Sequence, residues 1–254
     1  MKDSTRTTLG AIGLALGLIA LMLILALTAL HAVGTDGELY YALQTEAGIL
    51  PGAGLSEEEL RSLDRRLSDY LKGDRAALEA SPPFNEREMA HMADCCDLFR
   101  LLRKVRGRLV PWAVLLTVGG AYLLNDWRRA RRVAWLSPLI LLIPLGGFAA
   151  WAAADFDGAF TFFHRLLFSN DLWLLDPRTD LLIRICPESM FAAMGLRVGL
   201  WSLAAMLGVP ALATAATLPW PKSRENGENP WNDNRATRRA AAHRRRTFDF
   251  GEKP

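Results

Sequence analysis

Four long apolar runs constrain this chain more than anything else in it. They cover residues 9–33, 109–124, 133–154 and 188–218. A helix needs about 20 apolar residues to cross the hydrocarbon core of a bilayer. The chain has 254 residues, 51% of them hydrophobic, which one or two soluble domains would also allow. The apolar residues are gathered into blocks, however, and blocks of this length mean membrane spans. The expected fold is all-α: a polytopic membrane protein with four transmembrane helices. Two longer segments, 34–108 and 155–187, form a mostly helical part outside the membrane.

The first run follows a short polar segment, 1–8, and is too long for the apolar region of a signal peptide. We expect an uncleaved first span with His31 at its outer end. The second span is short and is opened by Pro111, which suits the first turn of a helix; alternatively, the helix upstream continues into it. A tight loop, 125–132, holds Arg128, Arg129, Arg131 and Arg132. The third span carries Pro144, the expected kink. Trp112, Trp127, Trp135 and Trp151 flank the second and third spans, as interfacial aromatic belts do. Pro187 precedes the fourth span, and Trp220 and Pro221 end it. The remainder, 219–254, is basic and poor in apolar residues, the composition of a disordered tail. Its RRAAAHRRR segment fits anionic lipid beside a membrane better than nucleic acid.

The first outer segment has helix punctuation. Ser56 and Glu59 make a capping box, Leu60, Leu63, Leu67 and Leu71 an apolar stripe, and Gly73 a stop. After Ser81-Pro82-Pro83, Asn85 caps a second helix with Glu88 at its third position. Met89, Met92, Cys96 and Phe99 form the apolar face of that helix. His91 lies one turn from Glu88 and from Asp94, and a carboxylate there would fix its tautomer. In the second outer segment His164 shares a helical face with Phe160, Thr161, Leu167 and Phe168. A titratable ring wrapped in apolar side chains beside lipid is a site candidate.

Positive charge places the N-terminus, the Arg128–Arg132 loop and the tail in the cytoplasm, with both long segments outside. Arg100, Arg103, Lys104, Arg106 and Arg108 then lie on the outer side, where they would meet lipid phosphates. Cys95, Cys96 and Cys186 match no zinc-ligand spacing. Free thiols are expected, with a bridge from Cys186 to Cys95 or Cys96 as the alternative.

The chain has no GxSxG, GxxxxGK[ST], HExxH or GxGxxG motif, so the usual serine hydrolases, ATPases, zinc proteases and dinucleotide enzymes are unlike it. The candidates that remain are His91 and His164, with Glu86, Glu88, Asp94, Arg165, Asn170, Asp171, Trp173 and Arg197 around them. Such a set suits proton transfer with oxyanion donors, or a metal held by two histidines and carboxylates.

The FNEREMAHMAD segment, the FHRLLFSNDLWLLDPRTDLLIRICPE segment and the four-span layout resemble the lipoprotein intramolecular transacylases of bacterial membranes. The resemblance covers about Leu9 to Leu218. It implies a substrate: a diacylated lipoprotein whose N-terminal cysteine carries a diacylglyceryl thioether. It implies a reaction: the sn-2 acyl chain moves to the α-amino group of that cysteine, leaving the lyso form. It implies catalytic roles for His91 and His164, no cofactor and no metal. The resemblance leaves the oligomeric state open. His164 would take the amine proton and His91 would return one to the departing glycerol oxygen, or the two would act the other way round, with Arg165, Asn170 or Trp173 donating to the oxyanion. Two rival readings are a non-catalytic membrane adaptor that uses the outer loops as a binding surface, and a metal-dependent membrane hydrolase.

Overall fold

The computed structural model describes residues 3–216, and among them all the regular secondary structure is helix. Its helices are α1 (Asp3–Gly34), α2 (Gly37–Glu46), α3 (Leu50–Ala53), α4 (Glu57–Lys72), α5 (Ala76–Glu79), α6 (Glu86–Leu124), α7 (Trp127–Leu136), α8 (Leu139–Ala154), α9 (Phe156–Leu167), α10 (Leu181–Ile185) and α11 (Glu188–Ala216). Four stretches are long and apolar enough to cross a membrane: Ser4–Gly34, Glu86–Leu124, Trp127–Ala154 and Glu188–Ala216. The tail, with Trp220 and Pro221, lies outside the described residues.

The spans hold together through α1, which packs on α6, α11 and α7. Lipid tails are as apolar as leucine, so helices in a bilayer associate by close packing rather than by escape from water. Small residues supply that here. A Cβ on Gly10 would fall on the Leu124 backbone, and one on Gly17 on Thr117. One on Gly120 would stand 2.7 Å from the Gly13 carbonyl carbon and 2.8 Å from Leu14 Cα. The run of Gly10, Gly13 and Gly17 therefore meets Thr117, Gly120 and Leu124, and the two helices are antiparallel. We expect Gly120→Ala to cost about 1–3 kcal/mol, seen as a lower unfolding temperature in detergent. An unchanged midpoint would mean that the seam is not closed.

The outer part has its own core. Leu60, Leu63, Leu67 and Leu71 of α4 are all buried, joined by Tyr40 and Leu43 of α2, Met92 and Cys96 of α6, and Leu182 and Ile185 of α10. Both capping boxes form: Ser56 with Glu59, and Asn85 with Glu88. The Gln44 amide donates to Asp64 at 3.0 Å and to the Ile185 carbonyl at 3.0 Å, which ties α2, α4 and α10 together. Burial pushes the Asp64 carboxyl up to about 7.

Two local expectations are corrected, at the arginine loop and the third span, and two are made more definite. For the second span the alternative holds: the upstream helix continues into it, and α6 is one helix of 39 residues with Pro111 inside it and not in its first turn. At 1.5 Å per residue it is about 58 Å long, roughly twice the hydrocarbon thickness, so its first half stands outside the bilayer. The arginine loop is two residues long. Asn125 ends α6 in the left-handed conformation (φ 44°), and Asp126 caps α7, which carries the arginines. The third span is interrupted at Ser137-Pro138, while Pro144 sits within α8. The reason is local: proline lacks the N–H that would continue α7, and Ser137 turns its hydroxyl onto the Val133 carbonyl at 2.7 Å. The segment 155–187 contains a full helix, α9, and the short α10.

Candidate active site

His91 and His164 arrive from different elements and meet at one end of the bundle. His91 lies in the part of α6 that projects beyond the spans, and His164 in the last turn of α9. Their ring centroids are 6.2 Å apart. Both are buried, at 7% and 8% exposure.

The surroundings of His164 are aromatic. Phe160 lies 4.0 Å away by centroid, Trp173 stacks at 5.0 Å and Phe168 at 5.7 Å. Phe168 also meets the His91 ring at 5.1 Å, so it bridges the pair. His164 Nδ1 stands 2.8 Å from the Phe160 carbonyl oxygen. A carbonyl only accepts, so Nδ1 carries the proton and, in the neutral ring, Nε2 holds the lone pair. Burial lowers the His164 pKa from its ordinary value of 6.5, against a smaller rise from the Phe160 bond. The ring is neutral at physiological pH.

His91 is arranged the other way round. Its Nε2 lies 3.6 Å from the Cys95 thiol one turn on, and its Nδ1 is buried with no partner among the described residues. All three cysteines are free, and Cys96 donates to the Tyr70 carbonyl instead.

The other candidates fall into three groups. The first braces the loop after α9 against α6. Asn170 donates to Asp94 at 2.9 Å, Arg87 to the Asp171 carbonyl, and Asn85 to Asp180 at 2.9 Å. Glu88, 1% exposed, accepts from the Asn85 N–H at 2.8 Å and from the Leu182 N–H. Its carboxylate is thus engaged with backbone from two segments, not with the His91 ring. The Trp173 indole donates to the Asn170 carbonyl at 3.0 Å and serves as a stacking plate for His164. The second group is unattached: Arg165 and the Asp171 side chain are exposed, and Glu86 is exposed in the first turn of α6. The third is Arg197, half-buried on α11, whose guanidinium turns back to the Ala193 carbonyl at 3.2 Å. His31 stays with Phe99, edge-on at 6.1 Å.

Sequence reasoning missed Asn85 and Asp180 as partners, Phe168 as a bridge and the contact of Cys95 with His91. The last had a signal, since positions 91 and 95 are one helical turn apart. Asn85 and Asp180 are 95 positions apart, and no local pattern links them. Arg100 pairs with Asp97 at 3.0 Å, Arg103 donates to the Leu71 carbonyl at 3.1 Å and Arg106 to the Thr28 hydroxyl at 3.5 Å, so these three of the five outer cations have partners inside the protein. Among the described residues no group of three or more His, Cys, Asp or Glu converges to hold a metal ion.

The architecture has solved counterparts. The membrane-integral lipoprotein intramolecular transacylase Lit from Bacillus cereus superimposes with a TM-score of 0.59 at 24% identity, over 83% of this chain and 93% of that one. Its variants with a histidine replaced by arginine or by alanine give TM-scores of 0.57 and 0.54 at 23% identity, over 84% of this chain and 91% and 92% of theirs. At such identity the likeness bears on the fold. No curated protein matches the chain. The family model for the lipoprotein intramolecular transacylase Lit matches residues 15–191, a stretch that takes in most of the first span, the second and third spans, the outer core, His91 and His164. By that match this multi-pass membrane chain belongs to the lipoprotein intramolecular transacylase family.

Proposed function

We propose that the protein moves the sn-2 acyl chain of a diacylated lipoprotein to the α-amino group of its N-terminal cysteine. The observation that carries this is the pair of rings 6.2 Å apart with opposite nitrogens left over: Nε2 on His164 and Nδ1 on His91. The acceptor amine has an ordinary pKa of about 8; it attacks as the free base, and its nitrogen must shed one further proton to become an amide. His164 Nε2 takes that proton as the N–C bond forms. The resulting imidazolium returns it to the glycerol oxygen as the ester C–O bond breaks, so one ring serves both steps.

His91 has a different part. With the Cys95 S–H turned toward Nε2, the imidazole proton of His91 sits on Nδ1, the nitrogen left without a partner. A neutral imidazole that gave up its single proton would become an imidazolate, a poor outcome near neutral pH. It acts instead as a neutral electrophile that donates to the carbonyl oxygen as negative charge develops there. This replaces the expectation that His91 protonates the leaving oxygen. Asn170 already donates to Asp94 of α6 and Trp173 to the Asn170 carbonyl, which leaves Arg165 as the exposed cation next in sequence to His164. An ester becomes a more stable amide, so the reaction runs without an activated donor. Both reacting groups belong to one molecule, and the enzyme's work is to align them and exclude water. The histidine pair and both long segments face the outer side of the bacterial plasma membrane, as the positive-inside pattern implies.

The test is mass spectrometry of a lipoprotein's N-terminal lipopeptide from a host that lacks its own N-acylating enzyme and expresses this chain. The expected product carries an N-acyl group and one chain fewer on the glycerol. A free amine with both ester chains intact would end the proposal.

The pH dependence follows from His164. Its pKa is lowered, so its base form persists below 6.5, and the acid limb of kcat should lie below that of an exposed imidazole. Stability has the matching sign. The folded state holds the ring neutral, so wild type should lose stability as pH falls below about 6.5, and His164→Asn should lose less of it. Unfolding temperatures between pH 7.5 and 5 would show it, and parallel curves would refute it.

A further inference from the structure

We propose that the start of α7 is a headgroup site for an anionic phospholipid, in the leaflet opposite the histidine pair. The placement follows from the packing. Gly10 of α1 meets Leu124 at the end of α6, whereas Gly34, at the other end of α1, meets Phe99 on the side of His91. The α6–α7 turn is therefore at the far end of the bundle from the site described above.

Trp127, Arg128, Arg131, Arg132 and Trp135 line a cavity of about 430 Å³. Positions 128, 131, 132 and 135 follow the i, i+3, i+4, i+7 rule and so present one helical face. The Arg128 and Arg131 guanidinium carbons lie 5.4 and 5.3 Å from the Trp127 ring centroid, which holds two cations on one indole. The carboxylate in that turn is occupied. Asp126 accepts from the N–H groups of Arg128 and Arg129 and pairs with the Arg129 side chain at 3.3 Å. Among the described residues Arg128, Arg131 and Arg132 have no carboxylate partner. The far wall is fixed, because the Trp135 indole donates to the Thr214 hydroxyl of α11 at 3.0 Å.

The surface next to the cup suits the ligand's other end. Beyond the cavity the chain enters the bilayer with Leu136, Leu139, Ile140 and Ile143 all exposed, Ile143 at 72%. A cationic cup bounded by two indoles and continued by bare aliphatic side chains matches a molecule with a phosphate at one end and acyl chains at the other. A free phosphate would use only the cup, and a nucleic acid or acidic peptide would find no use for the aliphatic stripe.

The experiment uses the full chain. Protein purified in a neutral detergent is titrated with phosphatidylglycerol or phosphatidylcholine, and retained lipid is counted by native mass spectrometry. Wild type should keep phosphatidylglycerol in preference, and 10 mM inorganic phosphate should not displace it. Each arginine near a membrane surface is worth roughly a fivefold change in binding, so R128Q/R131Q/R132Q should bind roughly a hundredfold less tightly. R131Q alone changes one exposed side chain and should lose about fivefold. A variant at the other end, R106Q/R108Q, should stay within about twofold of wild type. Equal retention by wild type and the triple variant would overturn the proposal. So would phosphatidylcholine binding as tightly, displacement by phosphate, or a loss confined to R106Q/R108Q.

Discussion

Replacing His164 by asparagine should slow conversion by about 10²–10⁴-fold while leaving the chain folded. The asparagine amide nitrogen comes close to where Nδ1 stands, so it can keep the bond to the Phe160 carbonyl that now measures 2.8 Å. Nothing replaces Nε2, the atom assigned to carry the proton between amine and glycerol oxygen. His164→Gln tests the converse, since it reaches toward Nε2 but offers no titratable nitrogen, and it should be as slow. His91→Gln removes the Nδ1 donor and should lose about 10²–10³-fold, the usual cost of one oxyanion donor. The assay is conversion of a purified diacylated lipopeptide, with circular dichroism and unfolding temperature as folding controls. If His164→Asn stayed within about threefold of wild type, the ring would be packing and the mechanism would have to be abandoned.

How much of this was legible depends on how far apart the interacting residues lie in the chain. The spans show in composition because each is a single apolar run, and the two capping boxes show because their partners are three residues apart. The α6 boundary misleads because Pro111 is tolerated within a long helix whose neighbours are tight. Its ring removes one hydrogen bond but not the glycine seam that holds α6 against α1. The two histidines were legible as polar groups in apolar company. Their 6.2 Å separation was not, because it depends on folding α9 and its loop over α6, and no periodicity encodes that. The same limit explains Glu88. Seen along the helix it is the acid one turn before His91, whereas its second partner, Leu182, is 94 positions away.

Glu88→Ala separates those two views of the carboxylate. The side chain accepts from the N–H of Asn85 and from that of Leu182, and it is almost wholly buried. Hydrogen bonds to a charged group contribute about 1.5–3 kcal/mol each, so losing both costs about 3–6 kcal/mol and leaves a buried N–H unmet. The release should propagate. Leu182 opens α10, the segment before it carries Asp180 on Asn85, and further back Trp173 stacks on His164. The expected result is a much lower unfolding temperature, faster protease cleavage between residues 168 and 187, and a rate reduced in proportion to the loosened fraction. Glu88→Gln keeps one acceptor oxygen and should fall between alanine and wild type. The pH profile of the remaining activity is the discriminating measurement. A carboxylate that only ties backbone together leaves that profile in place when it goes. One that tunes His91 would shift it, and a stable Glu88→Ala protein with a displaced profile would mean that Glu88 acts on the imidazole after all.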